Sequence, residues 1–180
     1  IAAERDRADE RARVAQAVLS FLEDDLLAAA DPNAMPGHEM TVRQALDRAS
    51  QQIGQRFDDA PAEAFALRLT LSRLYGALGV FDQAEPHARA ALALAESGMP
   101  AQRDAARHEL ADVLIDLDRL DEAEGLIDST SSSRARDLLR SRLAYQRGDY
   151  AQAAAVLQPY FASGAAPDAQ SLSVTERLSQ

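Results

Sequence analysis

The chain has no cysteine, no tryptophan and no lysine, and aromatic residues fill only 5% of its 180 positions. Without cysteine there are no disulfides and no thiol chemistry, and the chain fits an oxidising or a reducing compartment equally well. Few aromatics beside a 47% apolar content rich in alanine point to helices packed at close range, because small side chains let helices approach. All 19 lysine-plus-arginine positions are arginine, the bias of a G+C-rich bacterial genome rather than a functional signal. Positive charge is in the minority: the net charge is −10 and the pI about 4.7. A phosphate backbone or an anionic lipid surface is therefore repelled, and direct nucleic-acid binding by this segment is not expected. No apolar run approaches the roughly 18 residues of a membrane span, and no signal-peptide pattern is present. The length suits a single domain with its own core. The opening Ile1 reads as part of something longer.

The residue patterns of catalysis are missing too. His38, His87 and His108 are scattered, with no HExxH and no Cys/His cluster, so no metal site is expected. His87, beside Ala88 in a helical stretch, is expected on the surface. There is no glycine-rich phosphate loop and no GxSxG turn. The acidic groups Glu23 to Asp25 and Leu120 to Glu124 read as solvated helix faces, since catalytic carboxylates need burial or a partner to tune them. The chain is not expected to be an enzyme, and no cofactor is implied.

What is present is a phrase written three times: "ALGVFDQAE" from Ala77, "DLDRLDEAE" from Asp116 and "QRGDYAQAA" from Gln146. Each reads as a helix, a tight turn at Gly79, Asp118 or Gly148, a large apolar residue two positions later (Phe81, Leu120, Tyr150), and an alanine three beyond (Ala84, Ala123, Ala153). Glycine or aspartate at the turn suits a positive φ or a local side-chain hydrogen bond, and the alanine suits a close helix crossing. Ahead of the repeats, Thr41 can cap a helix running to Phe57 whose apolar stripe is Val42, Ala45, Leu46, Ala49 and Ile53. Residues 1–32 read as one long helix, charged through Arg13 and then apolar at Val14, Val18, Phe21, Leu22 and Leu26, ended by Pro32 and followed by a loop to Met40. The segment Ser129 to Arg134 reads as an inter-helix loop with a capping serine. The expected organisation is residues 1–40 as helix and loop, 41–164 as helical repeats, and 165–180 as the start of a further helix.

Spacings of 39 and 30 residues between the repeated alanines bracket the 34-residue period of tetratricopeptide repeats, and the sequence resembles that family. The family pattern wants a small residue at position 8, an aromatic or leucine at 11, glycine near 15, an aromatic at 17 and alanine at 20 and 27. Ser72, Tyr75, Gly79, Phe81, Ala84 and Ala91 supply it in full. The second unit supplies Ala111, Leu114, Asp118, Leu120 and Ala123 but has Thr130 at the last place. The third has Ser141, Gly148, Tyr150 and Ala153 but Ala144 at the aromatic place and Tyr160 at the last. The resemblance implies an all-α fold, a right-handed helical solenoid of antiparallel helix pairs with a long N-terminal helix.

It also implies a concave face lined by the first helix of each unit: Leu69, Arg73 and Ala77, then His108, Asp112, Ile115 and Asp116, then Leu138, Arg142 and Tyr145. Leu69, Ile115 and Leu138 have a second reading as ordinary core. The implied partner is a protein or peptide. The lysine and asparagine that clamp a chaperone's C-terminal carboxylate in some members are replaced here by Leu69/Arg73, His108/Asp112 and Leu138/Arg142, so that activity is not implied. Residues 5–94 further resemble the extracytoplasmic, periplasmic tetratricopeptide region of bacterial membrane-anchored signalling proteins, winged-helix transcriptional regulators first and serine/threonine kinases second. A cytoplasmic location and a self-association module that forms a homodimer are the alternatives.

Overall fold

The computed structural model describes residues 12–16, 20, 41–57 and 59–162. The expectations for the rest of the N-terminal helix, for the loop to Met40 and for residues 165–180 lie outside the described residues. The fold is all-α, and no strand occurs among the described residues. The chain divides into two compact units, Ile1–Ser97 and Gly98–Gln180.

The first unit contains α1 (Val42–Arg56), α2 (Pro61–Ala77) and all but the last residue of α3 (Phe81–Gly98), with residues 12–16 also helical. Thr41 caps α1 as expected. Its hydroxyl accepts from the Gln44 backbone N–H at 3.2 Å, and the Gln44 side chain accepts from the Thr41 N–H at 2.9 Å. This reciprocal box satisfies two donors that a helix start otherwise leaves open. Ala45, Leu46, Ala49 and Ile53 are buried as one stripe, but Val42 is exposed, because it sits in the first turn, beyond the reach of the stripe's packing. Pro61 opens α2, where its missing N–H costs nothing. The core of the unit is Leu46, Ile53, Leu67, Leu71 and Tyr75, with Ala84, Ala88, Ala91 and Ala95 along α3 fully buried.

The second unit runs through a short 3-10 turn (Pro100–Gln102) into α4 (Arg103–Asp116), α5 (Leu120–Asp128), α6 (Arg134–Gln146) and α7 (Tyr150–Ala162). Leu110, Leu114, Ile115 and Ile127 form its centre, and Ala106, Ala111, Ala123 and Ala153 are fully buried. Ser133 caps α6 by accepting from the Arg136 N–H at 3.2 Å, the role expected of that serine run. Thr130, where the family pattern has alanine, is buried and donates its hydroxyl to the Ile127 carbonyl at 2.7 Å. The polar side chain is accommodated by bonding to its own backbone turn.

The three repeated phrases fold into the same turn. At each, the N–H one residue past the left-handed position bonds back five residues, and the left-handed residue's own N–H bonds back three. The pairs are Val80 to Tyr75 and Gly79 to Gly76, Arg119 to Leu114 and Asp118 to Ile115, and Asp149 to Ala144 and Gly148 to Tyr145, all at 2.9–3.1 Å. This is the Schellman closure of a helix C-terminus, which needs one residue at positive φ. Gly79 has φ 70°, Asp118 58° and Gly148 80°. A Cβ at either glycine would meet no atom within 4 Å, so the cost of a side chain there is purely that of the backbone region. Gly79→Ala and Gly148→Ala are each expected to lower stability by about 1 kcal/mol. Asp118→Gly is expected to change it by less than about 0.5 kcal/mol, since relief of the backbone is offset by a freer unfolded chain. Urea unfolding of the three variants checks this, and a neutral Gly79→Ala contradicts it.

Candidate functional site

In the second unit, residues three and four apart on a helix share a face. His108, Asp112, Ile115 and Asp116 therefore lie along one side of α4, and Leu138, Arg142 and Tyr145 along one side of α6. The structure brings three of them into direct contact: the Arg142 guanidinium binds Asp112 through Nη1 and Asp116 through Nη2. The arginine is mostly covered, with 16% of its side chain exposed, whereas Asp112 keeps 52%. Burial alone would lower the Arg142 pKa, but the two carboxylates outweigh it and raise it. Arg142 therefore serves first to tie α6 to α4. Other arginines of α6 and its C-cap reach the opposite way, to α5: Arg140 to Asp128 at 2.6 Å, and Arg147 to Asp121 at 2.7 Å and Glu124 at 2.9 Å. Such exposed pairs add little to stability, because solvent screens them and holding two long side chains in place costs entropy.

Of the remaining expected lining residues in this unit, Ile115 has no exposed surface and Leu138 only 9%, so both follow the core reading. Tyr145 is half-buried and meets Tyr150 edge to face, with centroids 5.2 Å apart and planes at 62°. His108 is half-buried, and its Nε2 has no hydrogen-bond partner among the described residues. Burial lowers its pKa, assisted by Arg136 and opposed by the Asp104 carboxylate. In the first unit, Leu69 is buried while Arg73 and Ala77 on α2 are exposed. In the second unit Asp112 is exposed and His108, Asp116 and Tyr145 are half-buried. Among the described residues no group of three or more His, Cys, Asp or Glu side chains is placed to hold a metal ion.

The residue whose place differs most from the sequence reading is His87. It is not on the surface: only 3% of it is exposed. Its Nε2 lies 2.9 Å from Ser50 Oγ of α1, and its Nδ1 3.1 Å from Arg68 Nη1 of α2. Its ring stacks on Tyr75 with centroids 5.6 Å apart and planes at 11°. The Tyr75 hydroxyl in turn donates to Asp47 Oδ1 of α1 at 2.7 Å. Burial and that bond hold the phenol above its ordinary pKa. A guanidinium can only donate, so Nδ1 must accept and Nε2 carries the proton given to Ser50. Burial, with the Arg68 charge second, accordingly pushes the His87 pKa down to about 4. The signal for this was in the spacing. Ala84, Ala88, Ala91 and Ala95 repeat at helical period, and His87, three residues from the first and four from the third, falls on the same stripe.

Comparison of the chain with family models, with curated proteins and with solved structures finds no match.

Proposed function

We propose that the chain is a protein- or peptide-binding module of tetratricopeptide type, its antiparallel helix pairs stacked as a solenoid. The observation that supports it is the recurrence of one turn three times in one register. In every unit a fully buried small residue, Ser72, Ala111 or Ser141, precedes a fully buried alanine, Ala84, Ala123 or Ala153, by twelve positions around the same left-handed turn. Repeats of this kind present a face of side chains rather than a reaction centre. On the resemblance of residues 5–94, we read the module as the sensing or scaffolding part of a larger bacterial signalling protein. A winged-helix transcriptional regulator is the leading parent, with a serine/threonine kinase second, and the module lies on the extracytoplasmic side. Reading the gene upstream of Ile1 tests the parent: a membrane helix preceded by either output domain supports it, and a start codon there overturns it.

Tyrosine and arginine concentrate binding energy at interfaces, which makes Tyr145 in the second unit the first residue to test. A peptide selected by display against the full chain is expected to bind Tyr145→Ala at least tenfold more weakly, about 1.4 kcal/mol, with the helical signal unchanged. Arg73→Ala tests the α2 face of the first unit separately. Unchanged affinity in both variants contradicts the assignment of these faces. Self-association has one observation in its favour. Helix α7 carries no charged residue, and Tyr150 and Phe161, eleven residues apart and so on one face, are 60% and 55% exposed. Mass that rises with concentration would identify that reading.

A further inference from the structure

We propose that His87 is an acid-sensitive latch that holds α1 against α2 and α3, opened when a proton adds to the Nδ1 that now accepts from Arg68. This inference is independent of the proposed function. The latch joins three helices at one ring: Ser50 from α1, Arg68 and Tyr75 from α2, and the imidazole itself from α3. The other charged groups of α1 that act on this cluster are Asp47, which takes the Tyr75 hydroxyl, and Arg43, which acts on the phenol through its charge. Neither offers the imidazole a hydrogen bond in the described geometry. A proton taken from solvent onto Nδ1 consumes the lone pair that Arg68 uses. Two donors then face each other at 3.1 Å, both positively charged, the imidazole buried and the guanidinium half-buried. The ring can regain an acceptor only by leaving its place. Because the Ser50 bond and the Tyr75 stack depend on that place, the contact between α1 and the rest of the unit is weakened with it. Release of α1 uncovers Ala45, Leu46, Ala49 and Ile53, now buried, so the device converts a pH change into an exposed apolar stripe.

The sign follows from the two states. The folded pKa, about 4, is depressed from the ordinary 6.5, so the native state binds fewer protons between these values. The latch is at full strength above about pH 6.5 and is lost as the pH falls through about 4.

The test uses the full 180-residue chain. Amide-exchange protection of Val42–Arg56 is expected to fall on the order of a hundredfold between pH 7 and 4.5, after correction for intrinsic exchange. In His87→Gln, whose amide can both donate and accept but cannot titrate, the same ratio is expected to stay within about threefold. Equal losses in the two proteins overturn the proposal. Should the variant fail to fold, nitrogen NMR of the wild-type imidazole, assigned with His38→Gln and His108→Gln, decides by itself. A neutral ring protonated at Nε2 and titrating near pH 4 supports the latch, and a midpoint near 6.5, or a proton on Nδ1 at neutral pH, overturns it.

Discussion

Replacing Tyr75 with alanine is expected to destabilise the first unit by about 4 kcal/mol, a large share of what holds a domain of this size folded. The ring has no exposed surface, so its removal leaves a cavity between α1, α2 and α3 rather than a surface dent. The same change takes away the aromatic platform under His87 and the hydroxyl that closes on Asp47. Tyr75→Phe separates these contributions. It keeps the ring and removes only the hydroxyl, and the half-buried Asp47 can regain water, so the expected cost is about 1 kcal/mol. Residue-resolved exchange in α2 and α3 measures both variants. A Tyr75→Phe cost close to that of alanine would mean that the hydroxyl, not the ring, organises the unit.

Overfilling a helix crossing is expected to be nearly as damaging. Ser141 of α6 is fully buried, and its hydroxyl donates to the Ala153 carbonyl of α7 at 2.8 Å. A side chain of two heavy atoms that reaches a neighbouring helix's backbone leaves no room for a third or fourth. Ser141→Leu is expected to cost about 3 kcal/mol, from forced separation of the helices together with the lost bond. Ser141→Ala is expected to cost about 1 kcal/mol or less, because Ala111 fills the equivalent place in the preceding pair with full burial and the carbonyl keeps its helical partner. Thermal unfolding of the two variants gives the comparison. A mild Ser141→Leu would mean that α6 and α7 have slack at this crossing.

The parts of the fold legible in the sequence are those set by local chemistry. Gly79, Asp118 and Gly148 announce positive φ because few residues tolerate it. Thr41 and Ser133 announce helix starts because their hydroxyls meet open N–H groups. Ala84, Ala123 and Ala153, set at the same distance after each turn, announce small buried positions, and all three are fully buried. What the sequence left open depends on what stands opposite. His87 looked like a surface residue because one polar side chain in an alanine helix carries no trace of Ser50 and Arg68, contributed from 37 and 19 residues away. Arg142 looked like an open contact, yet its charge is engaged by Asp112 and Asp116 from the neighbouring helix. Leu69, Ile115 and Leu138 had two readings because an apolar residue suits a groove and a core equally. Burial of all three decides for the core.

The shared turn also bears on how fast the chain finds its structure. Each closure joins residues no more than five positions apart, so neither Gly79, Asp118 nor Gly148 has to wait for a distant segment before its bonds form. Little loop entropy is lost before the first contacts are made, and helical proteins dominated by such short-range contacts fold in microseconds to milliseconds. Three sites along one chain can start independently. A lesion at one turn therefore slows its own helix pair and leaves the other two free to form.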